Sequence, residues 1–226
     1  MWVVPAPVPV DAWLHMRICR CLCHWCDGSS LSRSAVWRSV AYCQEIACGA
    51  PRLPFYFYHI PAFNGVYLSM TEFLEAVDGR ISNFAGIKYT YENLYEYNQC
   101  RLYKDGKFDM LHGQDETLLP CLAMGGARGG IGGTTNYNGR TLVGILDAWK
   151  SGDLERARDL QNFAQQVINV ICHYRGNIVA GKRIMKLLGL DLGKNRIPFR
   201  NMTEEEESTM RAELEEIHFF DRCNKF

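Results

Sequence analysis

The sequence predicts an α/β protein of the (β/α)8 TIM-barrel class, with an incomplete barrel, on three observations. From residue 51 onward, strand-like and helix-like segments alternate with short loops, which is typical of a parallel sheet built from right-handed βαβ units. The units recur at roughly 25–30 residues, the spacing of such a barrel. After the first strand no Gly-x-Gly-x-x-Gly turn opens a helix, which disfavours a doubly wound dinucleotide-binding sheet.

The first two elements of this alternation are the clearest. The run PFYFYHI (54–60) is short, aromatic and β-prone, as in a buried strand. The segment SMTEFLEAVDGR (69–80) has helical spacing, with Thr71 as the expected N-cap and Gly79 as the stop. The further elements that we predict, in chain order, are strand 84–90, helix 92–103, strand 107–113, helix 115–125, a glycine-rich strand 128–133, a helical pattern 141–174 that breaks near Ser151-Gly152-Asp153, and helices 177–189 and 203–219.

Residue usage changes near residue 50. Six of the ten cysteines and four of the five tryptophans fall in the first 48 residues, whereas the first lysine is Lys88. In this part of the chain, residues 35–48 have an amphipathic helical pattern, with Gly49 as a C-cap. We therefore predict an atypical, largely irregular Cys- and Trp-rich segment over residues 1–50. Residues 51–226 would form the C-terminal part of the barrel with additional C-terminal helices.

The cysteine run CRCLCHWC (19–26), with His15 close by, has enough soft ligands for a zinc ion. Its spacing differs from that of a zinc finger, because no second pair of ligands follows about 12–20 residues later. The alternative, which we favour, is an irregular tail of accidental composition. The cysteines after residue 50 are scattered singly, as reduced cysteines of the cytosol usually are.

Charge and hydropathy disfavour several classes of function. Lysine plus arginine and aspartate plus glutamate both number 25, so the formal net charge is zero, and neither nucleic acid nor an anionic membrane surface is expected as a partner. No apolar run approaches the ~20 residues of a membrane span. The first 16 residues contain three prolines and lack the basic start of a signal peptide. We therefore expect a soluble, cytoplasmic protein that acts on a small molecule.

Two side chains near the ends of the first two body strands suggest covalent catalysis, because catalytic groups of a barrel lie where its strands end. Lys88 is the one ionic group in the window FAGIKYTY, where desolvation favours the free amine that a Schiff-base nucleophile needs. Tyr58 would present a phenol able to transfer a proton at the same place. The alternatives are a lysine that extends to water and a tyrosine that only packs in the core.

Four blocks of the body carry a family resemblance. They are PFYFYHIPAFNGV (54–66), GIKYTYENL (86–94), GQDE (113–116) and GGARGGIGGTTNYNGR (125–140). Together they resemble the N-acetylneuraminate lyase family, a branch of the pyruvate-dependent class I aldolases that include dihydrodipicolinate synthase. The resemblance runs from about residue 52 to the C-terminus, and YHIP and GQDE favour the sialate lyase branch.

The resemblance implies cleavage of N-acetylneuraminate to N-acetylmannosamine and pyruvate. Lys88 would form an imine with the keto carbon, and Tyr58 would take the proton of the C4 hydroxyl as the C3–C4 bond breaks. The imine is the electron sink, so neither a metal nor an organic cofactor is expected. The resemblance also implies a homotetramer, and a sugar pocket lined by Thr90, Gly113, Asp115 and Glu116. The two carboxylates could alternatively cap, or interact with the dipole of, the predicted helix 115–125.

The chain departs from the family pattern in three ways. The family has a substrate-contacting serine after Gly132, where this chain has Gly133; Thr134 and Asn136 could partly replace its hydrogen bond. The family's carboxylate-binding Gly-Ser/Thr-Thr-Gly turn does not precede Tyr58. A full barrel takes about 250 residues, so we expect the barrel to be open before PFYFYHI, with that strand at a sheet edge.

Three functional hypotheses follow. The first is a working N-acetylneuraminate lyase. The second is a related pyruvate-dependent aldolase with another aldehyde partner, against which the GQDE turn argues. The third is a truncated, catalytically impaired isoform that keeps Lys88 and Tyr58 and acts only as an interaction or regulatory chain. It predicts weak or absent cleavage together with low solubility or low thermal stability.

Overall fold

The computed structural model describes residues 18–19, 33–126 and 129–225. Its strands are β1 (Ile18–Cys19), β2 (Phe55–His59), β3 (Phe84–Tyr89) and β4 (Asp109–His112). Its helices are α1 (Arg33–Cys48), α2 (Pro61–Asn64), α3 (Met70–Val77), α4 (Leu94–Leu102), α5 (Leu118–Ala123), α6 (Thr135–Ser151), α7 (Leu154–His173), α8 (Gly176–Leu187), α9 (Glu204–Glu216) and α10 (Phe219–Arg222). Short 3-10 turns span Tyr103–Asp105 and Asp115–Thr117.

The chain divides into two compact units. Of the described residues, the strand unit contains 18–19, 33–113, 124–126 and 129, and the helical unit contains 114–123 and 130–225. Helix α1 confirms the helical pattern predicted for residues 35–48. Most of the cysteine run 19–26 lies outside the described residues, so the zinc alternative and the irregular character of residues 1–50 stay predictions.

A parallel sheet with the order β1-β2-β3-β4 forms the centre of the strand unit. Strands β2, β3 and β4 lie within the runs predicted for them. The two-residue β1 places Ile18 opposite Tyr56 and Cys19 opposite Phe57. The expectation that PFYFYHI lies at a sheet edge is therefore wrong at these two positions. A strand of two residues is too short to produce a detectable periodicity, yet it provides neighbouring backbone for β2.

Helix α3 packs a buried apolar stripe against the sheet of the strand unit. Met70, Phe73 and Leu74 have no exposed surface, and the Phe73 ring centroid lies 4.4 Å from that of Phe57. Burial of side chains of this size contributes about 1.5–3 kcal/mol each. Helix α1 packs on α3 in the same unit. These contacts anchor the strand that carries Tyr58.

The N-terminus of α3 corrects one prediction. The N-cap is Ser69, whose Oγ accepts a hydrogen bond from the Glu72 N–H at 3.3 Å. The expected N-cap, Thr71, instead lies in the first turn, where its Oγ1 is 2.9 Å from the Ser69 Oγ. Either hydroxyl suits a cap by residue type, and the extended backbone at Ser69 decides between them.

Helices dominate the helical unit, and its predicted helix break is confirmed. Helix α6 ends at a C-cap, Gly152, which adopts the left-handed conformation with φ of 79°. The next residue, Asp153, caps α7 by accepting a hydrogen bond from the Arg156 N–H at 3.1 Å. Helix α9 begins with a capping box between Thr203 and Glu206. The main core of this unit comprises Tyr137, Phe163, Val167, Val170, Ile171, Tyr174, Val179, Ala180, Ile184, Met185, Met202, Met210, Leu214, Phe219 and Cys223.

Three predicted elements in residues 115–174 need correction. Residues 129–133 are not a strand, since Gly130 alone forms an isolated bridge. The predicted helix 115–125 is a 3-10 turn followed by the six-residue α5. The helix expected from residue 141 begins earlier, at Thr135, and has a kink at Asn138. Glycines in 129–133 leave room for side chains from other parts of the chain, and the segment forms no β-ladder.

The helices of the described ranges differ from a membrane-spanning helix, which needs about 20 predominantly apolar residues. None of them is both sufficiently long and sufficiently apolar to cross a bilayer.

Candidate active site

Lys88 and Tyr58 lie side by side near the C-terminal ends of β3 and β2. They are direct partners in the parallel register, and the Lys88 Nζ atom lies 4.0 Å from the centroid of the Tyr58 ring. Both residues are half-buried. The period of two along each strand puts both side chains on one face of the sheet. The structure thus brings together the two residues that the sequence singled out for chemistry.

The opposite face of the same strands is a buried aromatic cluster. The rings of His59 and Tyr89 lie 5.0 Å apart between centroids, and the Tyr89 hydroxyl donates to Glu96 Oε2 at 2.9 Å. Burial lowers the pKa of His59 to about 4, so its ring is neutral at pH 7. Burial, reinforced by Glu96, raises the pKa of Tyr89 and keeps its phenol protonated. This packed face fixes the backbone from which Lys88 and Tyr58 project.

Thr90 and Gly113 meet where β3 and β4 end. The Thr90 N–H donates to the His59 carbonyl, and the Gly113 N–H donates to the Tyr89 carbonyl, both at 2.8 Å. The Thr90 Oγ1 atom is buried and has no hydrogen-bond partner among the described residues. A Cβ added at Gly113 would overlap this oxygen, so the position requires glycine. A buried hydroxyl without a partner is costly and therefore calls for an explanation, such as a ligand contact.

Asp115, in the helical unit, is buried and holds the start of α6. Its Oδ2 accepts hydrogen bonds from the Thr134 N–H at 2.9 Å and from the Thr134 hydroxyl at 2.6 Å. A Cβ at Gly132 would overlap the Asp115 carboxylate. The carboxylate thus accepts two hydrogen bonds from Thr134. The alternative role considered for it was capping of the predicted helix 115–125. The neighbouring Glu116 is half-buried, and its carbonyl accepts from Gln165 Nε2 at 2.8 Å.

The loop at Gly133 shows which groups are already engaged. The Thr134 hydroxyl donates to Asp115, and the Asn136 Nδ2 donates to the Gly133 carbonyl at 2.9 Å. These two side chains were the expected replacements for the family's serine. The hydrogen of the Thr134 hydroxyl is thus used by Asp115, whereas the Asn136 NH2 group keeps a second hydrogen. The carboxamide of Asn177 instead lies where a side chain at position 133 would be.

Two residues near Asp115 and Gly133 were not predicted from the sequence. Gln161 donates to the Asp115 carbonyl at 3.0 Å and accepts from the Leu119 N–H at 2.8 Å, so it ties α7 to the start of α5. Asn177 contacts Gly133 from the first turn of α8. A buried glutamine is unusual and could have been noticed in the otherwise apolar face of α7. The contact of Asn177 depends on tertiary structure alone.

Metal ligation has no support in the part of the chain that is described. Within residues 18–19, 33–126 and 129–225, no group of three or more histidine, cysteine, aspartate or glutamate residues could hold a metal ion. The six cysteines of the described ranges whose side chains are characterised are Cys43, Cys48, Cys100, Cys121, Cys172 and Cys223, and all are free thiols.

A comparison with family models identifies the class to which this fold and these residues correspond. Residues 37–217 match the dihydrodipicolinate synthetase family, and the chain belongs to that family. The match begins inside helix α1, about 15 residues before the start expected from the motifs. The resemblance predicted from the four sequence blocks is confirmed.

Curated relatives include N-acetylneuraminate lyases. The chain is 34% identical over 182 residues to the N-acetylneuraminate lyase of Rattus norvegicus, covering 80% of this chain and 57% of that protein. It is 37% identical over 172 residues to N-acetylneuraminate lyase A of Xenopus laevis, covering 75% and 55% respectively. The chain thus spans little more than half the length of these relatives.

Solved structures give the same result for the fold. The N-acetylneuraminate lyase (sialic acid aldolase) of Aliivibrio salmonicida superposes with a TM-score of 0.77 at 35% identity, covering 81% of this chain and 60% of that chain. The Proteus mirabilis N-acetylneuraminate lyase also gives 0.77, at 32% identity, with 81% and 61% covered. The described α/β architecture is therefore that of part of the aldolase fold.

Proposed function

We propose that this chain carries the Schiff-base chemistry of an N-acetylneuraminate lyase, the cleavage of N-acetylneuraminate to N-acetylmannosamine and pyruvate. The observation that carries the proposal is the pairing of Lys88 with Tyr58 on adjacent parallel strands, with Nζ 4.0 Å from the ring centroid. Support comes from family membership and from relatives that are themselves N-acetylneuraminate lyases.

In this proposal Lys88 supplies the nucleophile. Its free amine adds to the C2 keto carbon of the open-chain sugar, water leaves, and a protonated imine forms. The ring face of Tyr58, close to Nζ, would stabilise this cation as an aromatic face stabilises an ammonium group, by about 0.5–2 kcal/mol. The position beside the Tyr58 ring therefore suits the iminium cation of the intermediate as well as the ammonium group of Lys88.

Tyr58 would then move the proton that allows the carbon–carbon bond to break. Its phenol proton is first lost to water, and the resulting phenolate oxygen takes the proton of the C4 hydroxyl. The C4 oxygen then becomes the carbonyl oxygen of N-acetylmannosamine. The electrons of the C3–C4 bond pass into the imine and give an enamine. Protonation at C3 and hydrolysis of the imine release pyruvate and restore Lys88. The bonds balance without a metal or an organic cofactor.

The resemblance implies which polar groups would contact the sugar. In the strand unit, the Thr90 hydroxyl lacks a protein partner and would bind a substrate oxygen. In the helical unit, Asp115 and Glu116 would accept hydrogen bonds from hydroxyl groups, as carboxylates do for vicinal diols. We also propose a homo-oligomer, the tetramer of the family, which light scattering of the purified chain would test.

A lyase assay tests the proposal. The purified chain is incubated with N-acetylneuraminate, and pyruvate release is followed through lactate dehydrogenase. Lys88→Arg should abolish release, because a guanidinium stays protonated and cannot form the imine. Lys107→Arg is the matched control, since Lys107 forms an ion pair with Asp78 and should leave turnover unchanged. Release by Lys88→Arg at the wild-type rate would contradict the proposal, as would a wild-type chain that releases no pyruvate.

A further inference from the structure

The carboxamide of Asn177 occupies the space of a missing side chain in the helical unit. Asn177 lies in the first turn of α8, and a Cβ added at Gly133 would overlap its Nδ2 atom. At Gly181, one turn further along α8, a Cβ would lie 2.8 Å from the Asn177 Oδ1 atom. The lack of side chains at Gly133 and Gly181 therefore leaves the volume that the carboxamide fills.

Tyr137 fixes which end of this carboxamide faces Gly133. The Tyr137 hydroxyl donates to Asn177 Oδ1 at 2.7 Å. Burial, with a further contribution from the charge of Asp115, raises the pKa of Tyr137, so the phenol stays protonated and can act as this donor. The acceptor end of the carboxamide is thereby held at Tyr137. The amide NH2 group consequently points toward Gly133.

The Asn177 NH2 group has hydrogen-bonding capacity to spare. No acceptor for it is found among the described residues, and the Asn177 Nδ2 atom is not fully buried. Gly133 itself is exposed. The donor is therefore held in place by the hydrogen bond from Tyr137 and is not fully buried. Such a pre-organised polar group loses little entropy when it binds a ligand.

Consecutive glycines place this donor next to an acceptor. The Asp115 carboxylate fills the side-chain space of Gly132, and the Asn177 amide fills that of Gly133. Successive Cα atoms lie about 3.8 Å apart. A carboxylate and an amide donor held beside neighbouring residues match a polyhydroxylated ligand, in which each hydroxyl can both donate and accept. A ligand with only acceptor groups would pair with the amide alone, and an apolar ligand would pair with neither.

We infer that Asn177 is a specificity-determining residue that donates a hydrogen bond from Nδ2 to an oxygen of the sugar chain, beside Asp115. The inference rests on the proposed function for the nature of the substrate. It assigns to α8 a contact that Gly133, which has no side chain, cannot make. Asn177 takes no part in imine formation, so it affects recognition of the sugar and not the reaction with pyruvate.

Sugar binding and pyruvate trapping separate this role from the chemistry. N-acetylmannosamine is titrated into the full chain by calorimetry, and imine formation is measured by borohydride trapping with pyruvate. Asn177→Ala should weaken sugar binding by about two- to ten-fold, the net value of one hydrogen bond. Asn177→Asp keeps an acceptor for Tyr137 but removes the donor, and should weaken binding at least as much. Trapping should be unchanged in both variants.

Asn169→Ala is the matched control, because Asn169 is an exposed asparagine on α7 and should bind the sugar like the wild type. Wild-type affinity in both Asn177 variants would overturn the inference, as would a wild-type chain that does not bind N-acetylmannosamine. An equal loss of sugar binding and of pyruvate trapping would also overturn it, since that pattern indicates a general structural role. Absent cleavage with the expected loss of sugar binding would count against the proposed function alone.

Discussion

Tyr58→Phe separates a proton-transfer role from a packing role at one atom. The substitution keeps the ring beside Lys88 Nζ and removes only the hydroxyl. Phenylalanine still offers an aromatic face to a cation, an interaction worth about 0.5–1 kcal/mol at partly exposed sites, so the free energy of unfolding should change by less than about 1 kcal/mol. Loss of a proton-transfer group costs about 10²–10⁴-fold in rate, equivalent to about 3–5 kcal/mol. The loss of activity should therefore greatly exceed the loss of stability.

The assay compares three quantities in the wild type and in Tyr58→Phe: pyruvate release from N-acetylneuraminate, the imine trapped with pyruvate, and the urea midpoint of unfolding. Release should fall by the factor given above, whereas trapping and the midpoint should stay close to wild type. Tyr95→Phe, at a tyrosine that is 71% exposed, controls for the substitution itself. Full cleavage by Tyr58→Phe would refute the assignment and would leave Tyr58 as a core aromatic.

Two further predictions concern the strand unit. Gly113→Ala places a methyl group on the Thr90 hydroxyl, and should cost about 1–3 kcal/mol in urea unfolding; a stability equal to wild type would contradict the close contact. Lys104 and Lys107 lower the pKa of Asp78 to about 2, so its stabilising effect is present above the unfolded value of 3.8 and is lost as pH falls toward 2. The melting temperature of Asp78→Asn should therefore lie below that of the wild type at pH 7 and match it near pH 2; an equal difference at both pH values would contradict this.

Local sequence patterns predicted β2, β3 and β4 and singled out Lys88 and Tyr58 as candidate residues, because those features depend on nearby residues. The aromatic run of β2 and the apolar window of β3 specify strands, and the parallel register then places Tyr58 opposite Lys88. The helix break at Gly152 and Asp153 was equally local, since a left-handed C-cap and an N-cap follow each other directly.

The features that were missed depend on residues distant in the chain or on a backbone conformation that residue type does not determine. The segment 129–133 has the composition of a loose strand, but its glycines make room for the Asp115 carboxylate and the Asn177 carboxamide. The choice between Ser69 and Thr71 as N-cap followed from the backbone conformation, which the residue types do not determine. Asn177 could not be predicted because its orientation is set by a hydrogen bond from Tyr137, on another helix.

Borohydride trapping with pyruvate, followed by peptide mass mapping, tests the central claim most directly, because it detects the covalent intermediate independently of sugar binding and cleavage. The account predicts that the peptide containing Lys88 gains the mass of pyruvic acid less one oxygen atom, and that this gain requires both borohydride and pyruvate. It also predicts no such gain on the exposed Lys104 or Lys107. Modification of either of these lysines with Lys88 unmodified, or no modification at all, would contradict the account.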